Sequence, residues 1–500
     1  MSEVLNHSGS KESTPVDLKA LKRSSVRGGM ITMLSQIISV SIQLASTVVL
    51  ARLLSPDDYG VMAMAMAITS FAGLFRDLGL SAAAIQKGEL SHAQMSNLFW
   101  LNTGMGALLT VILALSSPLV AWFYGKPELL PVTLLLSSTF LINSLGTQHG
   151  ALLQRNLQFS RNAMASIVGS AVNLVVGIIL ALQDHGYWAL CWGTVIGNIV
   201  TTSLLFAFSP FRPGFWTRGV GMKSMLKFGA SITTFDFVNY FHRNFDNLLI
   251  GKFWGADALG FYSRAYQLML FPVNNLRGPI TTVSFPAMSR LQNHADAFRA
   301  YYKNITSLLA FMSMPMTAFL FIEADSVIRL ALGPSWSHAS QIFSILAISG
   351  FIQPVSSLRG TVLMSLGKSK KYVIWGIINA IFISISFMIG VIWGPVGVAW
   401  AYVIATYAIL QPSLLYVFYQ TPVSYRDFWS SIWQPLIASV VCCLTVYAAK
   451  RWLAQDINAW VELALSSVLF TLVYLAAFLC MPGGKAYVLK KVHLFKSIRS

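Results

Sequence analysis

Five hundred residues, 55% of them hydrophobic and only 11% charged, with a mean hydropathy of +0.63, exclude a string of soluble domains, which carry about 25% charge. The 35 Lys and Arg against 18 Asp and Glu leave a net charge of +17. A nucleic-acid binder would display such an excess on a water-exposed face, and a chain this apolar has little of one. Cys191, Cys442, Cys443 and Cys480 all lie in apolar runs without metal-ligand spacing, which argues against a disulfide framework or a zinc site.

The composition fits an all-α polytopic membrane protein whose cations sit in loops. A crossing helix needs about 20 mainly apolar residues. In chain order fourteen such segments are predicted: 28–51, 60–85, 97–123, 129–151, 162–183, 187–209, 228–251, 261–288, 304–325, 338–365, 372–393, 395–418, 430–449 and 458–481. The polar stretch before the first has no small-residue cleavage site, so that segment is expected to be an anchor and not a removable signal peptide. No loop is long enough for a soluble domain.

Charge orients the bundle, because cytoplasmic loops hold the Lys and Arg excess. With the N-terminus inside, the inside segments contain most of the cations: the tail to Arg27, the regions around Lys87, Arg155–Arg161, Arg212–Lys227, Arg290–Lys303, Lys368–Lys371 and Arg426, and the tail from Lys485. Arg264 counts among the few outside cations, and Arg76, Arg243, Arg277 and Arg359 fall within spans. The predicted organisation is a cytoplasmic basic tail (1–27), an N-terminal lobe of six spans (28–209), a cytoplasmic linker (210–227), a C-terminal lobe of six spans (228–418), two further spans (430–481) and a basic tail (482–500) that suits anionic lipid. Both ends are then cytoplasmic.

An internal repeat appears at an offset of 200 residues. Leu50 to Met62 reads LARLLSPDDYGVM and Ile250 to Tyr262 reads IGKFWGADALGFY, aligning Arg52 with Lys252, Ser55 with Gly255, Asp57 with Asp257 and Gly60 with Gly260. Both stretches lie at the outer end of the first helix in a block of six. Each block starts inside, so the repeat is parallel, and a parallel repeat implies two pseudo-symmetric lobes about an axis along the membrane normal.

Two six-helix lobes plus two extra C-terminal helices, with LLSPDDYGVMAMA after span one and GADALGFYSRAYQLM after span seven, resemble the polysaccharide-transporter (Wzx-type flippase) family of the MATE-fold exporter superfamily. Within it the chain is most similar to the colanic acid and lipopolysaccharide-biosynthesis exporters. The resemblance implies a MATE-like V of two bundles around a cationic cavity in a bacterial inner membrane. It also implies a substrate, an undecaprenyl-pyrophosphate-linked oligosaccharide, that passes from the cytoplasmic to the periplasmic leaflet, together with contact with polysaccharide polymerase machinery. No cofactor is implied.

The residues supply a reason of their own. A charge at mid-membrane costs about 2.5–3.5 kcal/mol on insertion scales and so faces a cavity or a partner. Span seven carries Asp236, Asn239, Tyr240, Arg243, Asp246 and Asn247 on one helical stripe. Span eight adds Gln267, Asn274, Asn275 and Arg277, span two Arg76 and Asp77, and span ten Gln353 and Arg359. As a hydrated cavity this set is net positive, and arginine's planar fork binds phosphate oxygens while holding its charge. The competing reading pairs Arg243 with Asp246 one turn away as packing glue, and lets Arg76 and Arg359 snorkel to headgroups. Asp77, Asp236 and Asp246 are the intramembrane carboxyls available for H⁺ or Na⁺ coupling, unless arginine pairs with them permanently.

Two other functions remain in view. A MATE-type multidrug exporter would need an acidic, aromatic cavity for organic cations, against which the arginines weigh. A membrane-embedded polysaccharide polymerase or ligase would need a large outer loop or an acid-base cluster at one face. No GxxxxGK[ST] phosphate loop occurs, so an ion gradient or the membrane potential is the expected driving force.

Overall fold

The computed structural model describes residues 18–76, 90–220, 223–452, 458–482 and 484, with side chains from 34 to 76, 90 to 220, 244 to 451, 458 to 482 and at 484. Every regular element among them is helical. Ten stretches of the described residues are long and apolar enough to cross a membrane. Hydrocarbon offers no partner for backbone amides, and a helix satisfies them within one segment.

The N-terminal lobe comprises α1 (Leu18–Leu53), α2 (Pro56–Gly73), α3 (His92–Tyr124), α4 (Leu129–Arg155), α5 (Phe159–Leu182) and α6 (Tyr187–Phe208). The α1–α2 turn is encoded in Ser-Pro-Asp-Asp. The Ser55 hydroxyl accepts from the Asp58 amide at 3.2 Å, and Asp58 Oδ2 accepts from the Ser55 amide at 2.9 Å. This box satisfies donors that a helix start leaves orphaned, and Pro56 suits the first turn because it has no amide to satisfy. Ser91 and Gln94 repeat the device at the start of α3. The segment after α6 is strapped along α3. Asn97 receives the Thr217 amide at 2.9 Å and donates to its carbonyl at 2.6 Å, while Trp100 Nε1 donates to the Gly214 carbonyl at 2.8 Å.

The C-terminal lobe begins with α7 (Lys223–Arg290), in which two helices meet at Gly255. There φ is 84° and ψ is −177°, a conformation open essentially to glycine alone. Ser55, the break between α1 and α2, is the repeat partner of Gly255, so the two lobes turn at equivalent positions. Separate spans expected at 228–251 and 261–288 are thus joined with no intervening loop. The lobe continues with α8 (Ala295–Ile322), the short α9 (Ala324–Ala331), α10 (Ser337–Ser365), α11 (Ser369–Gly390) and α12 (Gly394–Phe418). Of the two helices that follow, α13 (Tyr425–Trp452) packs along α8 and α14 (Ala459–Cys480) along α13. Lys450 binds the fully buried Glu323 at 2.8 Å and Glu462 at 3.0 Å, fastening both to the end of α8.

The largest core cluster draws on both lobes. It joins Leu50, Tyr59 and Met64 to Ile250, Leu259, Tyr262 and Trp336. Towards the opposite ends of the helices the clusters belong to one lobe each: Phe99, Leu152 and Phe211 in the N-terminal lobe, and Tyr302, Leu358, Phe418 and Phe428 in the C-terminal half. Among the described residues the lobes therefore share a core at one end, and the clusters towards the other end belong to single lobes. Most of the packing between them is α2 against α7, at a crossing made by the repeat itself. A Cβ on Gly60 would fall 1.8 Å from the Ala256 carbonyl oxygen, and one on Gly260 would fall 1.9 Å from the Pro56 carbonyl oxygen. Positions 60 and 256, and 260 and 56, exchange under the 200-residue offset, as a twofold axis between the lobes requires.

Candidate functional site

A cavity of about 410 Å³ opens just beyond this crossing, lined by both lobes. Helix α1 contributes Ser39, Gln43 and Thr47, spaced i, i+4 and i+8 and so stacked on one face, and also Ser46. Ser170 and Asn173 come from α5, Thr194 from α6, and Tyr59 and Met62 from α2. The second arm of α7 supplies Arg264 and Gln267. The lining is thus rich in hydroxyl and amide groups and, among the described residues, includes no Asp or Glu.

Among the described lining residues Arg264 is the charged one. Its guanidinium lies 3.9 Å from the centre of the Tyr59 ring, across the lobe boundary. Nη1 donates to Gln267 Oε1 at 2.7 Å. Tyr59 is itself wedged edge-on against Trp336, with ring centroids 5.4 Å apart. Among the described residues no carboxylate lies within ion-pair distance of Arg264, and its Nε is enclosed without a hydrogen-bond partner. A guanidinium held this way, stacked on one face and uncompensated by an acid, is suited to an anion that brings its own oxygens.

The residues singled out from sequence distribute as follows. Asp77 lies outside the described residues, as do the side chains of Asp236, Asn239, Tyr240 and Arg243. Asp246 is 2% exposed, with Oδ2 accepting from the Tyr262 hydroxyl at 2.9 Å and Oδ1 from the Asn247 amide at 2.8 Å. Gln353 donates to the Tyr402 hydroxyl at 2.8 Å. Arg359 donates from Nε to the Ser356 carbonyl at 2.6 Å, beside the buried Tyr302. These three sites lie within the C-terminal lobe's own packing. Arg76 is half-buried at the end of α2, with Nε enclosed. Asn274 and Arg277 are exposed further along α7, and Asn274 falls on the same helical face as Gln267, seven residues earlier.

Sequence reasoning missed Arg264 by counting it with the outer loops. The available signals were its place nine residues beyond the Gly255 break, the Arg264–Gln267 spacing of one turn, and the i, i+4, i+8 polar row on α1.

A family model described as "Polysaccharide biosynthesis protein" matches residues 49–341. The lipopolysaccharide biosynthesis protein WzxC of Escherichia coli K12 is 26% identical over 86% of this chain and 88% of its own length. The teichuronic acid biosynthesis protein TuaB of Bacillus subtilis is 27% identical over 95% of this chain and 100% of its own. In three dimensions the fold matches that of the lipid II flippase MurJ in an inward closed conformation, with a TM-score of 0.73 at 17% identity over 90% of this chain and 98% of that one. The family match spans more than half the chain and takes in α2, the repeat crossing and Arg264: the chain belongs to the polysaccharide biosynthesis protein family.

Proposed function

We propose that the chain is a flippase that moves a pyrophosphate-linked oligosaccharide on a polyprenyl lipid across a bacterial inner membrane by alternating access of the inter-lobe cavity. The observation that carries this reading is Arg264, an arginine without a carboxylate partner among the described residues, in a polar cavity beside the core that the two lobes share. A pyrophosphate cannot cross hydrocarbon unaided, and Arg264 offers it a charge-assisted contact where hydroxyl and amide neighbours suit sugar. Arg243, Arg277 and Arg76 extend the cationic surface, with Asn239, Tyr240 and Asn274 as polar lining, whereas Arg359, Gln353 and Asn247 serve the packing of the C-terminal lobe. The chain acts as a transporter and not as an enzyme, crosses the membrane fourteen times with both ends cytoplasmic, and draws on H⁺ or Na⁺ through Asp77 or Asp236. The multidrug-exporter alternative wants acidic lining, and the described cavity residues include none.

Reconstitution tests the reading. Protein in liposomes should flip a fluorescent undecaprenyl-pyrophosphate-linked oligosaccharide, and Arg264→Ala should slow flipping at least tenfold while the protein still inserts. Equal rates for the two proteins would overturn it.

A further inference from the structure

Two cations related by the repeat make the same contact from opposite sides of the crossing. Arg52, the penultimate residue of α1, donates from Nη2 to the carbonyl of Leu330, the penultimate residue of α9. Lys252, its partner at the 200-residue offset, donates from Nζ to the Phe123 carbonyl, the penultimate residue of α3, and lies 4.9 Å over the Phe123 ring. Each donor sits at the end of the first helix of its lobe. Each acceptor sits where the third helix of the other lobe has just ended, at Tyr124 for α3 and through α9 after α8. The last carbonyls of a helix have no intrahelical donor and carry the negative end of its dipole, so both cations find a ready acceptor. Arg52 and Lys252 are exposed at the rim, outside the cavity lining.

We infer that Arg52 and Lys252 form a reciprocal latch that holds this end of the molecule shut, and that both bonds must break before the cavity opens there. The inference rests on the alternating-access reading above and adds the positioning residues that set its closed state. The glycine crossing brings the lobes into contact by packing, and the buried Trp336 Nε1 donates across the same boundary to the Ala51 carbonyl at 2.7 Å; neither sits at the exposed rim, where Arg52 and Lys252 act. The Arg52 and Lys252 bonds lie to either side of the crossing and span the boundary in opposite senses, so an opening that parts the lobes at this end breaks both. Lys126, by contrast, binds Asp57 at 2.6 Å within the N-terminal lobe and is no part of the latch.

The test measures distance across this end of the full-length protein in nanodiscs without substrate. Spin labels are placed at Leu130 and Trp393, exposed residues of opposite lobes, with the four native cysteines replaced by alanine. Arg52→Gln and Lys252→Gln should each raise the ratio of long to short distances several-fold, and the double variant roughly as the product. Lys126→Gln should leave the ratio unchanged, and Lys252→Arg should keep it close to the parent. Should glutamine at Arg52 prevent insertion, Arg52→Lys with Lys252→Gln gives the same reading through the second arm alone. An unchanged distance distribution in the double variant, or an equal change in Lys126→Gln, overturns the latch. Because no substrate is present, the two readings fail separately. Unchanged distances beside normal flipping reject the latch only, and lengthened distances in a protein that flips nothing reject the flippase only.

Discussion

At the scale of single residues, the role of Arg264 depends on geometry as much as on charge. Its guanidinium lies over the Tyr59 ring while Nη1 reaches Gln267, two contacts that a lysine ammonium, a compact point charge, does not make together. Arg264→Lys should therefore restore only part of the flipping lost in Arg264→Ala. Tyr59→Phe keeps the ring and should flip near the parental rate. Tyr59→Leu removes a cation–π contact of about 0.5–2 kcal/mol and should fall between roughly 2- and 30-fold. A Tyr59→Leu protein as fast as Tyr59→Phe would show that the stack does not position the arginine. Asp246 leads to a different expectation. Its oxygens are occupied by Tyr262 and Asn247, so Asp246→Asn should leave the pH profile of flipping in place, whereas Asp236→Asn should flatten it.

Between helices, the molecule relies on close backbone approach at one crossing and on a buried ion pair at another. Replacing Gly60 or Gly260 with leucine drives a side chain into a facing carbonyl. Each variant should still insert, yet should expose the cavity at the shared-core end, read as faster labelling of a cavity cysteine from that face. On the other flank, Lys450→Ala strands Glu323, which is fully buried. An uncompensated buried charge costs about 3–5 kcal/mol, so thermal unfolding in detergent should shift down sharply, and adding Glu323→Gln should recover most of the loss. Sequence alone showed much of this layer. The Ser-Pro-Asp-Asp cap is local chemistry, and the aligned pairs Gly60–Gly260 and Arg52–Lys252 are visible as letters. What sequence did not show is that the aligned stretches touch: Gly60 meets Ala256 and Gly260 meets Pro56, contacts between halves of the chain that no local pattern encodes. Arg264 stayed hidden for the same reason. A hydropathy window sees a charge near a span's end, and only the fold brings Tyr59 beneath it.

For the whole molecule, the described residues join the two lobes by a shared core at one end and place one-lobe clusters towards the other, an arrangement that suits a cleft closed on one side. The segment after α6 is bonded along α3, so rocking of the lobes should begin beyond Val220 and leave that strap intact. Amide hydrogen exchange checks this, and protection at Thr217 and Gly214 should survive addition of substrate. The most direct test of the account labels a single cysteine at Ser46, in the cavity wall, with a membrane-impermeant thiol reagent applied to either face of oriented proteoliposomes. The account predicts reaction from the face that carries the termini, protection from the opposite face, and several-fold slower reaction once pyrophosphate-linked lipid is added. Equal reaction from both faces, unaffected by the lipid, would contradict it.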